Sequence, residues 1–169
     1  MGSFGRGGSQ EREEERYGQL KYSGNITGGA LLVRESRIVA RLLLENPDQD
    51  TARDRLLAEN LLQNSSPETT RKYCRLILPR LSSLSPEMVG FVADGTEEFA
   101  RMTLFAAILR SINLVADFVS DILIVKVRCF EPTLQRTDWV RFLEERATVD
   151  PSVNEWSESS RKKMAQVVF

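Results

Sequence analysis

The chain has 169 residues, 41 % of them hydrophobic and 28 % charged, with 23 basic and 24 acidic side chains and no histidine. This composition suits one folded domain or two small helical subdomains, and a net charge of −1 supplies no global attraction to nucleic acid. The missing histidine removes the commonest general base and the commonest zinc ligand, so chemistry built on either is excluded.

Residues 1–20 are Gly/Ser-rich, then charged, and read as a disordered leader or a remnant of recombinant expression. The glycine-rich run from Tyr22 to Gly29 reads either as an ordered loop whose backbone approaches another surface or as a plain linker. An N-terminal helical subdomain is expected over 21–95. Its first helix covers 34–45 and stops before Pro47, with Ile38, Val39, Leu42 and Leu43 on its apolar side and Arg34, Arg37 and Arg41 on another. Asp50 is the expected cap of a second helix running to about Leu62.

Ser66-Pro67-Glu68 supplies a capping hydroxyl, a proline at the first helical position and an acid at the positive end of the dipole. The helix it opens carries Arg71, Lys72, Arg75 and Arg80, with no acid between Thr69 and Leu84. Pro79 should kink or end it. Ser85-Pro86-Glu87 repeats the start signal for a short helix to about Val92, and Asp94-Gly95 marks a turn.

A C-terminal helical subdomain is expected over 96–169, opening on the longest apolar stretch, Phe99 to Phe130. Phe99, Met102, Phe105, Leu109, Ile112, Val115, Phe118, Ile122, Val125 and Cys129 recur at helical spacing and are the expected core. Ser111 and Asn113 predict two helices or a kink. Charges interrupt the stretch too often for a membrane span. Glu131-Pro132 ends it, and Thr137 or Asp138 opens a helix with Trp139, Phe142 and Leu143 inward. Asp150-Pro151 starts a short turn, after which Ser157 caps a final helix, Glu158 to Phe169, stopping in mid-pattern. That stop predicts either a longer natural protein or a helix packed on a partner. The fold class is all-α: a multi-helix bundle with a helix-turn-helix-like C-terminal part.

Cys74 and Cys129 each fall inside a predicted helix and fit reduced, buried thiols of a cytoplasmic protein. No signal peptide, P-loop, GxGxxG, nucleophile elbow, HExxH or CxxC pattern occurs, so no cofactor, metal or enzymatic activity is expected. Asp117 and Asp121 share the i, i+4 spacing of a Mg²⁺ pair, yet read more simply as a solvated side or as partners of Arg110 or Arg128.

The positive signal is two hydroxyl-plus-base helix starts. One comprises Thr69, Thr70, Arg71, Lys72 and Arg75; the other comprises Ser157, Ser159, Ser160, Arg161, Lys162 and Lys163. Such turns combine free backbone N–H groups with cationic side chains, the ingredients of a phosphate site. Arg34, Arg37 and Arg41 form a weaker candidate. Lysine supplies only 5 of the 23 bases, and this arginine bias fits either phosphate contacts or a GC-rich genome.

At these residues the chain resembles the BrxA family of BREX bacteriophage-exclusion systems. The likeness rests on Tyr22-Ser23 with Thr27-Gly28-Gly29, Glu35-Ser36, the Thr69 to Arg80-Leu81 helix, and Trp156-Ser157 with Ser160-Arg161 and Lys163. It implies a NusB-like, antiterminator-type helical fold and a non-catalytic protein that binds double-stranded DNA. It also implies a family pattern that runs on past the final basic helix. Two other readings use the same scaffold: an RNA-binding antitermination factor, and an adaptor for other phage-defence proteins.

Overall fold

A computed structural model of the chain describes Tyr22, residues 31–131 and residues 133–168. The expected leader, the loop after Tyr22, Pro132 and Phe169 lie outside the described residues, as does the side chain of Lys163. Among the described residues the structure is helical throughout, without a strand. The helices are α1 (Val33–Glu45), α2 (Gln49–Ala58), α3 (Pro67–Ser82), α4 (Pro86–Asp94), α5 (Glu97–Ser111), α6 (Asn113–Phe118), α7 (Ile124–Arg128), α8 (Arg136–Val149) and α9 (Glu158–Val168). A π-helical turn, Val119–Leu123, joins α6 to α7, and a 3₁₀ turn, Pro151–Glu155, precedes α9.

The chain divides after Ile112, whereas the sequence suggested a boundary between 95 and 96. Helix α5 belongs with α1 and α4, against which it packs, and the break falls where Ile112 turns to extended backbone. The expected interruption near Ser111 and Asn113 is therefore present. Ser111 Oγ closes the last turn on the carbonyl of Ala107 at 2.7 Å.

In the first unit, α1 to α5, the core is built from Val39, Leu43, Leu56, Ile77, Leu78, Leu81, Val92 and Leu104 among others. Serine caps set its helix starts: Ser66 Oγ accepts from the N–H of Thr69, and Ser85 Oγ from that of Met88. Helix α2 is capped by Asp48, not Asp50. Asp48 accepts from the Thr51 N–H at 2.7 Å, and α2 ends at Ala58 because Asn60 and Gln63 take left-handed backbone. Helix α3 runs through Pro79 to Ser82, so the proline does not end it.

The expected core residues of the long apolar stretch are partly turned outward. Helix α5 buries Ala100, Thr103, Leu104, Ala107 and Ile108, while Phe99, Met102 and Phe105 are exposed. Small residues let α5 sit close to its neighbours on one side, and its larger apolar residues stand on the other. Val125 and Cys129 are likewise exposed, so the expectation of two buried thiols holds for Cys74 alone. The π turn explains the second error. It adds a residue to one turn and rotates everything beyond it out of the 3.6-residue phase that the sequence pattern assumes.

The second unit comprises residues 113–168 with Tyr22. Its centre is an aromatic trio. Phe118 meets Trp139 edge-on at 5.0 Å and Phe142 edge-on at 5.2 Å, and all three are fully buried. Helix α8 begins one residue before Thr137, and Asp138 reaches back from inside its first turn to accept the N–H of Gln135 at 2.8 Å. Lys126 and Arg141 flank the same carboxylate at 3.1 and 3.3 Å. That backbone bond, and then Lys126, hold the Asp138 carboxyl below the usual aspartate range. Its stabilisation is complete above about pH 4 and fades as acid carries the solution through the depressed folded value. The Asp138→Asn variant, which keeps an acceptor without the charge, should show a shallower acid-unfolding curve by circular dichroism.

Candidate nucleic-acid interface

Helix α3 exposes Arg71, Lys72 and Arg75 on neighbouring positions of its first two turns. Arg71 pairs with Glu68 at 3.3 Å, Arg75 Nε donates to the carbonyl of Arg71 at 3.4 Å, and Lys72 has no partner among the described residues. Thr69 and Thr70 are spent locally. The Thr69 hydroxyl shares a hydrogen bond with Ser66 Oγ at 3.1 Å, and buried Thr70 accepts from Asn64 Nδ2 at 3.1 Å. Arg80 does not join the exposed set: it is buried, and loss of water lowers its pKa. The acid-free run read from the sequence is thus an exposed basic patch at one end and a buried arginine at the other.

Helix α9 is tied more tightly to itself. Ser157 Oγ accepts from the Ser160 N–H at 3.2 Å and lies 2.9 Å from the hydroxyls of both Ser159 and Ser160. Lys162 pairs with Glu158 at 2.7 Å. Arg161 turns back to donate to the Val153 carbonyl at 2.8 Å, latching α9 to the preceding 3₁₀ turn. In the segment expected to be helix-turn-helix-like, the element before the turn is thus a five-residue 3₁₀ turn, and Lys162 is the most exposed of the described bases on α9. The two basic starts belong to different units of the chain.

The α1 arginines have structural work. Arg37 donates to the Gly95 carbonyl at 2.7 Å, and Arg41 to the Ala93 carbonyl at 3.1 Å and the Asp94 carboxylate at 3.2 Å. Together they satisfy carbonyls at the C-terminal end of α4, where cationic donors favour the helix dipole. Arg34 donates to Gln63 Oε1 at 3.0 Å. All three still line an open cavity of about 610 Å³.

A polar network in the second unit went unread in the sequence. The Tyr22 hydroxyl donates to Asp117 at 2.7 Å, and its N–H donates to buried Asp150 at 2.8 Å. Burial first, then the Asp117 hydrogen bond, push the Tyr22 phenol well above its ordinary value, so it remains a donor. Asp121 pairs with Arg146, whose guanidinium also lies 5.0 Å from the centre of the Phe142 ring. The acidic pair therefore answers to Tyr22 and Arg146, not to Arg110 or Arg128. Spacings of 95 and 128 residues carry no local sequence signal; only the tyrosine's place just ahead of a glycine-rich run marked it. Among the described residues no group of three or more Cys, Asp or Glu is placed to hold a metal ion, and no helix is long and apolar enough to cross a membrane.

The chain matches the BrxA sequence family over residues 20–169. It is 36 % identical over 149 residues to "BREX protein BrxA" of Paramagnetospirillum magneticum, spanning 88 % of this chain and 75 % of that protein. The protein of the same description from Escherichia coli O9:H4 is 33 % identical over 141 residues, spanning 83 % and 66 %. The crystal structure of an uncharacterized protein from Magnetospirillum magneticum superposes with a TM-score of 0.76 at 34 % identity, covering 88 % of this chain and 76 % of that one.

Proposed function

Because the chain belongs to the BrxA family, we propose that it serves a bacterial phage-defence system as a non-catalytic protein that grips the phosphates of double-stranded DNA. The observation that carries this reading is the basic start of α3, where Arg71, Lys72 and Arg75 are exposed together and Glu68 is their sole ion-pair partner among the described residues. An exposed ion pair of this kind holds its base weakly and yields it to a phosphate, which an arginine fork can bind bidentately. Helix α9 supplies a second contact through Ser159, Ser160, Arg161, Lys162 and Lys163. With no histidine in the sequence and no catalytic motif, binding rather than turnover is its work. It acts in the cytoplasm beside other proteins of the defence system.

The test is a salt-titrated binding assay with duplex DNA, single-stranded DNA and structured RNA side by side. Duplex binding should weaken with salt at a log–log slope of about −0.9 per phosphate neutralised. Arg71→Glu with Arg75→Glu should lower duplex affinity at least about tenfold and flatten the slope by about 2. Lys162→Glu with Lys163→Glu, which spares the Arg161 latch, should act in the same direction with helix content intact. Unchanged duplex binding in both variants defeats the reading, and RNA outcompeting duplex replaces it with an antitermination-type role.

A further inference from the structure

Helix α5 has two apolar sides, and the described residues cover only one of them. Opposite the buried residues Ala100, Leu104 and Ala107 stand Phe99, Met102 and Phe105, which are 57, 62 and 41 % exposed. Phe91 of α4, 45 % exposed, extends the patch, with its ring centre 6.2 Å from that of Phe99. A helix that is apolar all round is ordinarily enclosed, and exposed patches of this kind mark interaction sites.

The spacing says what shape would cover it. Within α5, Glu98, Met102, Phe105 and Leu109 follow one another at 4, 3 and 4 residues, the repeat of a coiled-coil seam. The buried residues occupy the positions that such a seam leaves at its back. Glu98 and Arg110, near the two ends, have no hydrogen bond or ion pair among the described residues, whereas Glu97 and Arg101 are paired with each other at 2.6 Å.

We propose that this seam docks an amphipathic helix of another protein, lying antiparallel to α5 with a base opposite Glu98 and an acid opposite Arg110. Antiparallel placement opposes the two helix dipoles. It also brings the incoming helix's C-terminal end, where bases are favoured, to Glu98, and its acid-favouring N-terminal end to Arg110. The four exposed apolar side chains offer on the order of 400 Å², about half of the ~800 Å² per side that a stable pair of globular chains buries. That area suits a single helix set on anchors at i, i+3 and i+7 better than a second copy of this chain.

The probe is a fluorescein-labelled 22-residue synthetic peptide, helical, with leucine at the seam positions, glutamates in its first turn and lysines in its last. Anisotropy should show saturable binding to the full chain. Met102→Glu with Phe105→Glu should weaken it at least about tenfold, and Glu98→Lys severalfold, with helix content and duplex DNA affinity retained. Both sites are exposed, so neither variant disturbs the core. The proposal is overturned if the peptide does not saturate or if neither variant weakens it. It is overturned equally if sedimentation shows the chain pairing with itself and Met102→Glu with Phe105→Glu dissolving the pair.

Discussion

Replacing Trp139 with alanine should cost about 3–5 kcal/mol, the largest single loss available in the second unit. The indole is fully buried and supplies one edge of the trio with Phe118 and Phe142. Truncation therefore removes transfer free energy, the edge-on contact with Phe118 and the tilted one with Phe142, and leaves a cavity in a close-packed core. Its Nε1–H has no acceptor among the described residues, and Trp139→Phe, which keeps an aromatic ring in the trio, should be much milder. Denaturant titration followed by circular dichroism checks both. A domain of this size has only ~5–15 kcal/mol in hand, so Trp139→Ala should unfold a detectable fraction near 37 °C.

Asp150→Ala should destabilise the same unit by about 2–4 kcal/mol through a different cause. The Asp150 carboxylate accepts the Tyr22 N–H at 2.8 Å and the Ser152 N–H at 3.0 Å, and the residue is buried. Alanine strands both donors, whereas asparagine retains one acceptor oxygen and should lose roughly half as much. The effect should reach function. The 3₁₀ turn that Asp150 starts also carries the Val153 carbonyl to which Arg161 is latched. Faster amide exchange at Tyr22 and Ser152, with weaker duplex binding, is the expected pair of observations. Normal exchange at both amides would show that the Asp150 hydrogen bonds do not hold this turn.

Local chemistry was legible in the sequence wherever one turn of chain decides it. The starts of α3 and α4 at Ser66-Pro67 and Ser85-Pro86, the break at Ile112 and the inward Trp139, Phe142 and Leu143 all rest on neighbouring residues. What failed depends on partners far along the chain. Periodicity finds an apolar stripe on α5 but cannot say which of two stripes the fold covers, and bulk alone favours the wrong one. The π turn resets the phase at Val119–Leu123 without a glycine or proline to announce it. For the candidate interface, the residue types were readable. Their availability was not, because the Glu158 partner of Lys162, the Val153 latch of Arg161 and the helix-end role of Arg37 and Arg41 exist only once the chain is folded.

The contrast between the two cysteines has a practical side. Cys74 is enclosed, and burial pushes its thiol up, away from the reactive thiolate form; Cys129 stands in the open next to Phe130. A maleimide dye or nitroxide therefore attaches at one place on this chain, in the second unit alone. No engineered handle is required to follow that half of the molecule in a binding experiment.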